Sequence, residues 1–125
     1  MPRKQNPTLN ESELRMMEVV WELGQATVSD VVAGLPDDYR PAYNTVLTTM
    51  RILEHKGYLQ HEKDGRAHVY RPLVSRNQAR KQVVRHMVRS FFDDSPELLL
   101  LSVLENEHVS PEELERLKRM TDDNE

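Results

Sequence analysis

Leu14, Met17, Val20 and Trp21 recur at helical spacing and stop at Gly24, the pattern of a helix with one buried stripe. Its start is marked twice. Asn10 and Glu13 are spaced as a capping box, and Leu9 and Leu14 as a hydrophobic staple. A second start at Ser29, preceded by Val28, predicts a short helix over Asp30 to Leu35 that Pro36 closes. A third helix is predicted from about Ala42, just after Pro41, to Lys56, with Gly57 as its stop. The period then changes. Tyr58 to Lys63 and Arg66 to Pro72 read as two short extended runs around Asp64-Gly65, which predicts a hairpin with a type I′ turn. With Asp64 and Gly65 as the loop, Lys63 pairs with Arg66, His61 with His68 and Leu59 with Tyr70. Two opposed cations at the tip cost stability in water, a cost that a polyanion lying against the tip would relieve.

Downstream the pattern is helical again. Ser75 and Gln78 make a capping box that opens a helix over Arg76 to Phe92. Its apolar residues Val83, Val84, Met87, Val88, Phe91 and Phe92 cover about half the circumference, a wider stripe than one lean core buries. A further helix starts at Ser95-Pro96 and carries the leucines from Leu98 to Leu101, then Val103 and Leu104. The last starts at Ser110-Pro111, with Glu113 as box partner and Leu117 and Met120 on its apolar side. These segments hold no chemical motif, so the expectation is association with a second copy. The joining surface is expected at Val84, Met87, Val88, Phe91, Leu98, Leu101 and Leu104. A self-contained three-helix core is the other way to cover them.

The fold class that follows is mainly α with a small β-hairpin: an N-terminal winged helix-turn-helix and a C-terminal α-helical dimerisation region. The expected domains are residues 1–74 for DNA binding and 75–125 for dimerisation. In a winged helix the third helix enters the major groove and the hairpin touches the backbone alongside. At about 100° per residue, Ala42, Val46, Met50 and Leu53 share one side of that helix, the expected core side. Asn44, Thr48, Arg51 and His55 share the other, flanked by Thr45, Leu47 and Ile52, and Glu54 lies off this stripe. Asn and Arg side chains suit adenine and guanine edges, and an exposed Leu47 or Ile52 suits a thymine methyl.

Charge sharpens this picture. The chain of 125 residues carries a net charge of −4, which conceals three blocks. Residues 1–39 hold three basic and seven acidic residues, residues 40–92 eleven and three, and residues 93–125 three and eleven. A basic middle between acidic ends suits a polyanion-binding segment. Only 38% of residues are hydrophobic and 30% are charged, a lean core that favours a partner chain. The absence of cysteine removes disulfides, thiolate metal sites and cysteine nucleophiles. With four glycines and no phosphate loop, nucleophile elbow or zinc-protease motif, no enzyme, catalytic residue or cofactor is expected. His61 and His68 are the only candidate metal ligands, and a structural or phosphate-facing role is expected instead, with no metal. Arg3 and Lys4 precede no apolar stretch, and the longest apolar run is Leu98 to Leu101, so a soluble, cytoplasmic protein without a membrane partner is expected.

These residues bring the chain close to a known family. From Leu9 to about Met120 it resembles the penicillinase and methicillin-resistance repressors, the BlaI/MecI type. The resemblance is carried by Leu9-Asn10-Glu11-Ser12-Glu13-Leu14, Val19-Val20-Trp21, Ala42 through Met50, Leu53 through Leu59, and Arg66 through Pro72. It implies a homodimeric repressor of inverted-repeat promoter sites, with double-stranded DNA as its partner. On the matching positions, Asn44, Thr45, Leu47 and Thr48 face bases, Arg51 reaches a base or phosphate, and Lys63 and Arg66 serve the wing. The family often has Arg where this chain has Ile52, with Arg51 one position earlier. The resemblance also implies a signalling protease as a further partner. Where several relatives have an Asn-Phe bond that is cut, this chain has Ser102-Val103. The competing reading is a winged-helix protein-interaction module without a DNA role, which a salt-sensitive gel shift on random DNA would separate.

Overall fold

In the computed structural model, which describes residues 8–122, the first helix begins as its punctuation predicts. Oδ1 of Asn10 accepts from the Glu13 amide and Oε1 of Glu13 accepts from the Asn10 amide, both at 2.8 Å. Helix α1 (Glu11–Leu23) ends at Gly24, whose φ of 85° is open to glycine. Its buried side is Met16, Met17 and Val20, while Leu14 is 41% exposed. The stripe is thus rotated from the one expected, and Met16 takes the place given to Leu14. Arg3 and Lys4 lie outside the described residues.

Helix α2 (Val28–Gly34) starts earlier than expected. Its cap is Thr27, not Ser29, in a capping box with Asp30. The Thr-x-x-Asp spacing carries that signal in the sequence. A Cβ on Gly34 would stand 2.7 Å from Cγ1 of Val19, so this residue lets α2 close onto α1. Helix α3 (Tyr43–Lys56) follows, with Gly57 in the left-handed region as its stop. Val46, Met50 and Leu53 are fully buried as expected, but Ala42 is exposed, being the cap and not part of the helix. Glu13 is also buried, and its Oε1 takes Nζ of Lys56 at 2.8 Å, tying α1 to α3.

Strands β1 (Leu59–Asp64) and β2 (Ala67–Pro72) form the antiparallel hairpin, in a register that corrects the expected one. The loop is Gly65-Arg66, so Asp64 pairs with Ala67, Lys63 with His68, His61 with Tyr70 and Leu59 with Pro72. Of Asp64 and Gly65, only Gly65 takes positive φ, at 63°. A glycine in the first central position needs just one such residue, whereas the Asp-Gly turn needs two. The opposed cations at the tip therefore do not occur. Ala26 pairs with Tyr70 across the other edge of β2, with N···O distances of 2.8 and 2.9 Å. Leu59, Tyr58 and Tyr70 complete a core that also takes in Val28, Val31 and Leu35.

Helix α4 (Arg76–Phe91) opens with the expected Ser75–Gln78 box. The chain divides into compact units at 1–86 and 87–125, a division that falls inside this helix. Two contacts tie the start of α4 to the first unit: Ala79 is buried in the core and the Tyr58 hydroxyl donates to Oε1 of Gln82 at 3.2 Å. Just before the helix, Nε1 of Trp21 donates to the Val74 carbonyl at 2.8 Å. Within the second unit lie the end of α4, then α5 (Pro96–Asn106) and α6 (Pro111–Asp122). No residue over 87–122 is buried. A self-contained three-helix core is therefore not what this unit forms.

Candidate nucleic-acid interface

The buried side of α3 decides where its polar side points. With Val46, Met50 and Leu53 turned inward, Asn44, Thr45, Thr48, Arg51 and His55 are all exposed. Ile52 is 44% exposed and Tyr43 50%, and at about 100° per residue they flank the outward face on opposite sides. The sequence does not single out Tyr43, because its identity carries no groove-binding signal of its own. Leu47 departs from the expectation of an exposed residue. It is half-buried and packs against the core, so it stands at the edge of the outward face.

The wing places Lys63 and Arg66 at its exposed end, around the Gly65 turn. Among the described residues no ion pair engages Arg51, Lys63 or Arg66. An unpaired cation keeps its field available to a polyanion. Behind this surface Tyr70 is buried, and burial pushes its hydroxyl above the ordinary phenol range, helped by Glu54 and opposed by the Arg51 guanidinium. The charges of Arg51 and Glu54 on α3 thus reach Tyr70 at the base of the wing.

Glu54 itself pairs with His61 of β1 at 2.8 Å, a contact that no sequence spacing announces, since it joins a helix to a strand. His61 and His68 stack with ring centroids 4.5 Å apart. Among the described residues no cluster of three His, Cys, Asp or Glu is arranged to hold a metal ion. No described helix is long and apolar enough to cross a membrane.

Three helices, a hairpin docked on the third, and an outward stripe of Asn, Thr and Arg define a winged-helix DNA-binding protein, and comparison with known proteins places it among repressors. The chain belongs to the penicillinase repressor family, whose model matches residues 9–123. It is similar to the penicillinase repressor of Bacillus licheniformis, with 26% identity over 96% of this chain and 94% of that protein. It is also similar to the methicillin resistance regulatory protein MecI of Mammaliicoccus sciuri, 20% identical over 90% of this chain and 91% of that protein. Among solved structures, the DNA-binding domain of the repressor BlaI matches with a TM-score of 0.53 and 29% identity, covering 60% of this chain and 92% of that one. The monomeric form of Bacillus licheniformis BlaI, in complex with the blaP half-operator, matches with a TM-score of 0.50, 29% identity and the same coverage.

Proposed function

We propose that this chain represses transcription as a homodimer, each copy laying α3 and its wing on one half of an inverted-repeat operator. The observation that carries this reading is the outward face of α3, where Asn44, Thr45, Thr48 and Arg51 are exposed with no carboxylate among them. Asn44, Thr45, Thr48 and Arg51 read base edges, with Leu47 at the margin of that face. His55, Lys63 and Arg66 hold phosphates, which position the protein without reading sequence. That BlaI, a similar chain, was solved on a half-operator in its monomeric form supports one winged helix per half-site.

The second copy is held through the C-terminal helices. Phe91 is 73% exposed, and Met87, Leu98, Leu101 and Leu104 lie between 37% and 50%. Val84 and Val88 extend this apolar character along α4. So much exposed apolar surface on one unit marks an interaction site, and closed two-fold dimers are the commonest solution. Footprinting of the promoter of the chain's own gene, followed by gel shifts on the protected fragment and on random duplex over a range of salt, tests the reading. A dyad-symmetric footprint and a preference that survives added salt support it. Equal, salt-insensitive or absent binding to both duplexes rejects it.

A further inference from the structure

Glu54 is the only carboxylate of α3. Beside a phosphate-binding surface an unscreened carboxylate repels the polyanion. In this chain it is engaged instead: each of its oxygens lies 2.8 Å from Nδ1 of His61 on β1. The His61 ring stacks on His68 of β2, nearly parallel at 18°, and meets the Tyr70 ring at 5.4 Å. One connected set of side chains thus links α3 to both strands of the wing. We propose that Glu54 and His61 are positioning residues of the DNA interface: their contact fixes the wing against α3 and gains charge when His61 takes up a proton. The proposal rests on the reading of α3 and the wing as the DNA face.

The wing needs such a tie. A two-stranded hairpin is marginal alone, and beyond Leu59 every residue of β1 is exposed. The base is anchored by buried Leu59 and Tyr70 and by the Ala26 bridge, while the Glu54–His61 contact reaches further along the strand. The groups around His61 can be named. From α3 come Glu54 and, acting on the adjoining Tyr70, Arg51 and Tyr43. From β2 come His68 and Tyr70, and Lys63 lies two residues along β1, paired with His68. Glu62 and Arg71 occupy the alternate positions and bridge each other at 3.9 Å.

The Glu54 carboxylate is the anion that a proton on His61 faces, at 2.8 Å. Imidazoles change charge across the physiological range. On the acid side the contact is an ion pair, the carboxylate is neutralised and the surface is more positive. The contact is thus charge-assisted where His61 carries a proton, so its benefit to DNA binding is greatest on the acid side.

The test uses the intact protein, its own promoter fragment and a random duplex, titrated at about pH 6 and about pH 8 at constant salt. The wild type is expected to lose about two- to fivefold in affinity between these values, the range of a partly exposed ion pair. Glu54→Gln and His61→Gln are expected to show a smaller pH slope, and the double variant to be no weaker than either single one, as coupled residues require. His61→Arg is expected to keep its acid-side affinity at both pH values. An unchanged slope in the single variants, or additive losses in the double one, overturns the proposal. Amide exchange of Gln60 to Val69 in the free protein, expected to quicken in Glu54→Gln, reads the tie without DNA, and unchanged exchange also overturns it. A wild type that fails to prefer promoter over random duplex rejects the DNA reading itself, separately from these outcomes.

Discussion

Glu13 shows how one side chain serves two structures. It closes the capping box of α1 and receives Lys56 of α3 through the same oxygen, while only 3% exposed. Only the first role is legible in the sequence, from the three-residue spacing; the second depends on how α1 and α3 cross. Lys56→Met leaves the buried carboxylate without its cation. It is expected to destabilise the fold by about 1–3 kcal/mol, the usual cost of an unsatisfied buried polar group. Urea denaturation checks this, and Glu13→Gln in the same background should recover part of the loss. Arg51 is the corresponding residue on the functional side. Its substitution by Ala should weaken operator binding by about 1–3 kcal/mol if the guanidinium grips a base in two places. A phosphate contact would instead lower affinity on every sequence and flatten the salt slope by about one. If neither changes, Arg51 faces solvent and the proposed register of α3 on DNA fails.

At the scale of elements, caps and stops are the most legible features because each is a local hydrogen-bonding problem. Asn10, Ser75 and Ser110 each cap the helix expected of them, since the partner lies three residues away whatever the rest of the chain does. The hairpin register is not legible to the same degree. Asp64-Gly65 and Gly65-Arg66 both offer a glycine to the turn, and they differ in needing two positive-φ residues or one, of which only Gly65 supplies one. Moving the loop one residue along changes every cross-strand partner, while the His61–Glu54 contact is hidden for another reason, since it joins the strand to α3. The revised register also changes what the wing can do. Lys63 and Arg66 do not face each other, so each is free to follow the phosphate backbone separately. Replacing both with Ala should lower affinity for promoter and random duplex together and leave the preferred sequence intact. Gel shifts on a small panel of operator variants check it, and an altered preference would make the wing a base reader.

For the molecule as a whole, the apolar residues divide by role between the two units. Those of 1–86 are largely enclosed, from Met16 to Ala79, whereas none of those over 87–122 is buried. The width of the apolar stripe on α4 and the leucine run of α5 make the second condition legible in the sequence. The place of the division is hidden there, because Ala79 and Gln82 look like ordinary helix positions until Tyr58 is found beside them. A winged helix alone grips one half-site. Joining two makes the second grip effectively intramolecular, which raises avidity by roughly 10²–10⁴ without any new DNA contact. Loss of the C-terminal unit, including by a protease cutting in α5 near Ser102-Val103, would forfeit that gain while leaving every proposed DNA-contacting residue in place. The fragment 1–86 is therefore expected to be folded and monomeric, because it keeps Ala79 and Gln82, and to bind a full operator orders of magnitude more weakly than the intact chain. On an isolated half-site the two should bind alike. Ultracentrifugation and gel shifts on both duplexes decide the matter. A fragment that still dimerises, or holds the full operator at near intact affinity, would rule out the C-terminal helices as the joining surface.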